Sequence, residues 1–354
     1  MPPHPLVKRA QREGSPLIDG ETATFVWRGQ SAPSLIGDFN DWDITKALSF
    51  QPVASGLWTH KLTLPREAYM EYAYVRPGKY HEGLPVRVPD PLNPQTWLDQ
   101  PGTLNHFFYM SEAAPTPLGQ RKRGVPHGTV TRHSLRTRHQ LARDKRIVYL
   151  YQPPTSEPSP LLVVFDGLNY LRRVQLTTIV DNLIAQGRIR PLALALLDNH
   201  GLGRNIEYAC NELMIGFVGH WIINLARAHL NLVNPETSLG AYGVLGAAIS
   251  GLAALYTGLR LPHLFGRVLS QSGAFNLKGE DTILFDLVQH FPSSPLKIWM
   301  SVSQYEWLLP ANRRMHELLV AKGYAVTYRE HPSGHNCTSW RNEVWQGLEL
   351  MFGV

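Results

Sequence analysis

Acyl transfer through a side-chain oxygen on an α/β scaffold needs a nucleophile on a tight strand-to-helix turn, then an acid, then a histidine, in that chain order. The segment Ala241-Tyr-Gly-Val-Leu-Gly-Ala-Ala-Ile-Ser-Gly-Leu-Ala-Ala-Leu-Tyr-Thr-Gly258 has the form of such a turn: an apolar strand, a dense cluster of small residues, then a helix. A residue held in that turn tolerates only small neighbours two positions before and after it. Gly246 and Ser250 stand at that spacing around position 248, where serine is expected and the chain has Ala248. Ser250 is a poor substitute, because its own neighbours at that spacing are Ala248 and Leu252, and a leucine would crowd the turn. Ser272, in Leu269-Ser-Gln-Ser-Gly273, has small neighbours but no helix directly after it, so it is expected to hydrogen-bond within a turn.

Downstream, Glu306 follows an apolar strand at 296–302, and His335 lies in a Pro-Ser-Gly turn after a strand at 325–329. Their order predicts Glu306 as the acid that orients the imidazole and His335 as the general base. Glu330 and Glu343, the competing carboxylates, fall on the wrong side of that order or are expected to be solvated. A tetrahedral oxyanion needs two backbone amides, one directly after the nucleophile and one from the loop after an earlier strand. Those are Ile249 and, after Phe165-Asp-Gly167, either Gly167 or Leu168.

These residues need a rigid frame, and the pattern of the chain supplies one. Apolar, β-branched runs at 146–151, 161–165, 192–197, 240–245, 267–270, 296–302 and 325–329 alternate with helical spacings at 175–186, 212–230, 250–258, 311–322 and 338–351. Strands alternating with helices predict a mostly parallel sheet covered on both faces, an α/β-hydrolase layout. Ahead of it, short strands at 22–28, 34–39, 57–62 and 69–75, separated by turn clusters, predict a small antiparallel β-sandwich. The expected organisation is an N-terminal extension at 1–20, the sandwich at 21–110, an Ala/Pro/Gly-rich linker at 111–124 and the α/β domain at 125–354.

Composition narrows the class. The chain has 354 residues, 44% of them hydrophobic, which is ample for two cores and excludes disorder as a whole-chain description. Its two cysteines, Cys210 and Cys337, cannot build a disulfide framework or a four-cysteine zinc site, and imply a reducing compartment. Either could be a reactive thiol, although a small buried core residue is the usual outcome. The net charge of +6 is diffuse, with basic runs no longer than Gln120-Arg-Lys-Arg123 and Arg143-Asp-Lys-Arg146. That favours attraction of a small anion over nucleic-acid binding. No stretch approaches the ~20 apolar residues of a membrane helix, and the first residues lack a signal-peptide core, so a soluble cytoplasmic protein without nucleic-acid or membrane partners is expected. Neither a metal-ligand spacing nor a phosphate-binding glycine loop is present.

Taken together, Gly246-Ala-Ala-Ile-Ser-Gly-Leu-Ala-Ala-Leu-Tyr256 and Pro262-His-Leu-Phe-Gly-Arg-Val-Leu-Ser-Gln-Ser-Gly273 resemble the core of the enterochelin esterases, which hydrolyse trilactone catecholate siderophores in the cytoplasm. Phe165-Asp-Gly167, Arg204-Asn-Ile-Glu-Tyr-Ala-Cys-Asn211 and Gly334-His-Asn-Cys-Thr-Ser-Trp-Arg341 extend the resemblance. Gly37-Asp-Phe-Asn-Asp-Trp42 and Asp90-Pro-Leu-Asn-Pro94 resemble that family's leading early-set (Ig-like) domain. The family pattern carries Ser where this chain has Ala248 and often Asp where it has Asn336.

The resemblance implies an anionic catecholate ester as substrate, with iron arriving only as part of it and no cofactor. It implies that Arg204 contacts the ligand and that Glu207 buttresses it, since a guanidinium suits catecholate oxygens by charge and forked donors. Trp340 and Arg341, beside His335, would add an aromatic wall and a further charge. Without a hydroxyl at 248 no acyl-enzyme forms. The chain then reads as an inactivated Ser-to-Ala form of a carboxylic ester hydrolase or as a natural pseudoenzyme that binds its ligand. Two other classes stay open: a feruloyl or acetyl esterase, disfavoured by the lack of a signal peptide, and a glycan-binding module using Trp42, Trp58 or Trp97.

Overall fold

The computed structural model describes residues 4–100, 103–136, 145–198, 201 and 203–354. By contact density the chain divides into two compact units. The first comprises Met1–Ala114 with two short segments from far downstream, Ser303–Trp307 and His331–His335, and the second holds the remainder.

In the first unit, helix α1 (Pro5–Glu13) precedes ten strands: β1 (Leu17–Asp19), β2 (Thr22–Arg28), β3 (Ser34–Gly37), β4 (Leu48–Ser49), β5 (Gln51–Ala54), β6 (Leu57–Thr63), β7 (Tyr69–His81), β8 (Leu84–Val88), β9 (Thr96–Gln100) and β10 (Thr103–Tyr109). One sheet runs β1-β2-β6-β5 and the other β4-β3-β7-β10-β9, with β8 paired to β7. Ala23 and Phe25 from one sheet and Leu35, Met70, Tyr72, Tyr74 and Phe108 from the other close a single core. The N-terminal residues are part of this packing. Val7 and Ala10 of α1 are buried with Leu17, Val26 and Leu57 in a smaller cluster, so residues 5–13 are a docked helix.

The second unit is organised by an eight-stranded sheet of β11 (Thr129–Arg136), β12 (Lys145–Gln152), β13 (Leu161–Val164), β14 (Ala193–Asp198), β15 (Tyr242–Ala247), β16 (Phe265–Gln271), β19 (Lys297–Tyr305) and β20 (Ala325–Gly334). Its order is β11-β12-β14-β13-β15-β16-β19-β20, and a small hairpin of β17 (Asn276–Leu277) and β18 (Glu280–Asp281) lies outside it. The β14-β13-β15-β16-β19 stretch is parallel throughout, while β11 and β12 add antiparallel strands at one edge. Successive side chains of a strand face opposite ways. Leu161 and Val163 therefore enter one core, together with residues of α7 (Ile249–Arg260) and α9 (Leu309–Ala321). Leu162 and Val164 enter the other, against α3 (Leu176–Ala185) and α10 (Cys337–Phe352).

Some expectations shift. The helical spacing at 212–230 resolves into α5 (Glu212–Gly216), a wider π-type turn over Phe217–Ile222 and α6 (Ile223–His229). Strand β11 was not foreseen. Part of the stretch read as a linker forms a short turn at Pro117–Gly119, where Leu118 is buried and Asn182 Nδ2 donates to the Leu118 and Gln120 carbonyls. Of the basic run 143–146, residues 143 and 144 lie outside the described residues. Among the described residues no helix is long and apolar enough to cross a membrane.

Candidate active site

Strand β15 ends in the predicted turn. Every residue from Tyr242 to Gly258 is buried except Ala248, which is half-buried and stands between the strand and α7. Its backbone has φ 57° and ψ −125°, a conformation nearly confined to glycine, costing about 1–3 kcal/mol for another residue. Gly246 is required by the same geometry, since a Cβ there would lie 2.0 Å from the Ser250 carbonyl oxygen. Ser250 closes the turn from within: its Oγ accepts the Ala247 N–H at 2.9 Å and donates to the Ala247 carbonyl at 2.7 Å, with no solvent exposure. Ser272 is equally buried, and instead of bonding within its turn its Oγ accepts the indole N–H of Trp340 on α10 at 3.0 Å.

The strain at Ala248 can be measured. Replacing Ala248→Gly should relieve more strain than it adds in chain entropy, for a net gain of about 1 kcal/mol. Calorimetry should show the second unit melting roughly 2 °C higher. A lower melting temperature would mean that the turn is relaxed.

The amides predicted for the oxyanion sit at helix starts. Ile249 opens α7, and Gly167 and Leu168 open the short helix α2 (Gly167–Asn169), where first-turn N–H groups have no intrahelical partner. Because β13 pairs in parallel with β15, with Val164 opposite Leu245, both turns lie at the same edge of the sheet. Gly167 admits no side chain, as a Cβ would fall 2.3 Å from the Leu196 carbonyl carbon.

Asp166, just before this helix, is held left-handed at φ 52° and clasped by Arg204. The guanidinium Nε donates to Oδ1 at 2.7 Å and Nη2 donates to Oδ2, while the cation lies over the Tyr208 ring. The buttress differs from the one expected. The carboxylate gripping Arg204 is Asp166, whereas Glu207 is buried with Arg146 and ion-pairs with it. Both residues of the Arg204–Glu207 motif lie on α4 (Arg204–Tyr208), but they engage different partners. The stretch ahead of Arg204 includes residues 199, 200 and 202, outside the described residues.

Trp340 is half-buried against the α10 core and its carbonyl accepts Gln271 Nε2, so much of its surface serves packing. The Arg341 stem lies along Gly119. Burial, with Glu212 adding to it, pushes the Cys210 thiol up to about 12, which keeps it protonated and unreactive at neutral pH. Cys337 is buried at the start of α10.

In the first unit, the predicted acid and base meet. His335 Nδ1 lies 2.6 Å from Glu306 Oε2, and Glu306 Oε1 accepts the Ser303 N–H at 3.2 Å. The Glu306 side chain has no exposure, against 18% for His335. A buried carboxylate on Nδ1 fixes the proton there and leaves Nε2 as the acceptor, the form that can take a proton from a hydroxyl. The rival acids are engaged elsewhere: Glu330 chelates Arg313, and Glu343 pairs with Arg329. The Trp307 ring, unmarked by any sequence signal, lies against the imidazole with centroids 4.6 Å apart and is 58% exposed.

The second unit holds a strained strand-to-helix turn with helix-start amides beside it, and the first holds a buried carboxylate on a histidine; each is a feature that ester hydrolases use. Residues 140–351 match the family described as putative esterase, and the chain belongs to that family. The iron(III) enterobactin esterase of Dickeya dadantii is 29% identical over 295 residues, a match covering 75% of this chain and 65% of that enzyme's length. The iron(III) salmochelin esterase of Escherichia coli O6:H1 is 24% identical over 371 residues, covering 95% and 88%. In structure the chain is similar to the enterobactin esterase of Shigella flexneri, solved in the presence of enterobactin, with TM-score 0.76 and 20% identity over 93% of this chain and 92% of that one. A ferulic acid esterase of Anaeromyces mucronatus is more distant, at TM-score 0.53 and 14% identity over 67% and 97%. These structural likenesses show the esterase fold, a mixed sheet flanked by helices.

Proposed function

We propose that this chain is a serine-esterase scaffold for the ester bonds of a trilactone catecholate siderophore, with Ala248 at the nucleophile position. The observation that carries the hydrolase reading is Ala248 itself: a non-glycine residue kept in a costly conformation at the one half-buried point of a buried run. Such strain persists where the surroundings impose it for function. With serine there, Oγ attacks the ester carbonyl while His335 Nε2 takes its proton, and Glu306 stabilises the imidazolium. The amides of Ile249 and of Gly167 or Leu168 receive the oxyanion. His335 returns the proton to the leaving alkoxide, and water then cleaves the acyl-enzyme. As it stands, the chain binds this substrate and does not turn it over.

The names of the enterobactin and salmochelin esterases among the relatives support the substrate class. A ferric tricatecholate is anionic, and the net charge of +6 complements it. Arg204 and Arg341 contribute that charge at the ligand, with Asp166 fixing Arg204. Iron enters as cargo of the substrate, and no cofactor is required. That two sheets of the first unit share one core supports reading it as the early-set sandwich.

Titration of the chain with ferric and iron-free catecholate trilactone, followed by tryptophan fluorescence, tests the reading, because Trp307 beside His335 is an exposed reporter. Saturable quenching by the catecholates and none by a feruloyl ester is the expected result. Equal response to both ligands, or to neither, would overturn the siderophore assignment.

A further inference from the structure

We propose that the N-terminal unit is a working part of the catalytic base: Asp38, pressed against Gly334, is a positioning residue that fixes the loop on which His335 meets Glu306. The mechanical part of this stands on geometry within the first unit, and its kinetic consequence rests on the esterase reading above.

Asp38 is 2% exposed in the Gly37-Asp-Phe-Asn-Asp-Trp42 turn. Its carboxyl is locked in place, with Oδ2 accepting the Glu71 N–H at 2.7 Å and Oδ1 accepting the Trp42 indole N–H at 2.9 Å. The turn is rigid as well, since Asn40 Oδ1 accepts the Gly37 N–H and a Cβ on Gly37 would fall 2.5 Å from the Glu71 carbonyl oxygen.

Onto this fixed carboxyl is laid the backbone of Gly334, the residue before His335. A Cβ at Gly334 would lie 1.9 Å from Asp38 Cγ and 2.2 Å from Oδ1, so no side chain fits and the two surfaces are in contact. From Gly334 the contacts lead directly to the pair. Ser303 Oγ donates to the Gly334 carbonyl at 2.8 Å, the Ser303 N–H donates to Glu306 Oε1, and Glu306 Oε2 faces His335 Nδ1. Tyr305, on the same segment, packs against the β-sheet core of the unit.

Electrostatics agree with the geometry. Burial first, and then the charge of Glu71, push the Asp38 carboxyl well above the usual carboxylate range. That favours its neutral form. Precise support of this kind matters because a displacement of about 1 Å at a reacting group can cost about 10²-fold in rate.

Two readouts test the proposal. In the chain as it stands, the His335 Nδ1 proton, shared with a carboxylate oxygen, should give a proton resonance far downfield of the amides. Asp38→Ala should broaden or lose that resonance, and Asp38→Asn, which preserves the volume against Gly334 but turns an amide NH₂ toward one of the two N–H donors, should restore it in part. In an Ala248→Ser background, Asp38→Ala should lower kcat by about 10- to 100-fold with KM changed less than about threefold, and Asp38→Asn, which keeps the volume and one of the two accepted hydrogen bonds, should recover part of the loss. Ser303→Ala cuts the same line of contacts and should weaken the resonance even where Asp38→Ala does not fold. An unmoved resonance and rate in folded Asp38→Ala, or an unmoved resonance in Ser303→Ala, would overturn the proposal. Loss of the resonance in Asp38→Ala with no hydrolysis by the Ala248→Ser parent would sink the esterase reading and leave the positioning role standing.

Discussion

Ala248→Ser should turn this chain into an esterase, raising hydrolysis of a catecholate trilactone by about 10⁴- to 10⁶-fold over the chain as it stands, the scale at which loss of a serine nucleophile is felt. One oxygen suffices because the rest of the turn is already built. The new hydroxyl would start from a backbone held at φ 57° and ψ −125°, with Gly246 and Ser250 giving the clearance that a strained turn needs. The amide that must receive the oxyanion, that of Ile249, is fixed by α7 and has no conformational change to make. Product analysis would show linear catecholate esters and then the monomeric catecholate hydroxy acid, and rapid quenching would trap an acyl group on residue 248. The same variant should bind the trilactone about as tightly as the parent, because the added hydroxyl acts in the transition state. Undiminished binding with no hydrolysis would mean that the surrounding apparatus is not a catalytic one.

How much of this was legible in the sequence follows from the range of the interactions. The turn around Ala248 could be read because its constraint is local: residues two apart must both be small. The central strands could be read because burial on both faces leaves continuous apolar runs such as Leu161–Val164. Glu306 and His335 were placed by chain order, and the 2.6 Å contact between them agrees with that order. Strand β11 was invisible because it is an edge strand with mostly exposed side chains, Arg132 and Arg136 among them, and carries no apolar alternation. The partner of Arg204 was misjudged for a different reason. Glu207 is near in sequence, but the strand end that brings Asp166 beside the guanidinium is set by sheet topology, which local spacing does not encode. Asp38 and Gly334 show the same limit, since a glycine before a histidine gives no sign that a carboxyl from the start of the chain fills the place of its side chain.

In the Ala248→Ser background, Glu306→Gln should lower kcat by about 10³- to 10⁴-fold while leaving KM and the melting temperature nearly unchanged. Glutamine has the shape of glutamate, and its amide oxygen can still accept the Ser303 N–H, so the loop is retained. The amide NH₂ then faces His335 Nδ1, donor against donor, unless the imidazole moves its proton to Nε2. That tautomer satisfies the hydrogen bond and disables the base, because the nitrogen meant to take the serine proton already carries one. Loss of the buried carboxylate also leaves the imidazolium without its counter-charge at a position that solvent screens poorly. Glu330→Gln is the matched control. It removes a partner of Arg313 on an exposed pair whose contribution to stability is small, and its rate should stay within about twofold of the parent. If Glu306→Gln kept more than a tenth of the parent rate, the acid would have to be another carboxylate, and the 2.6 Å contact to His335 would be structural.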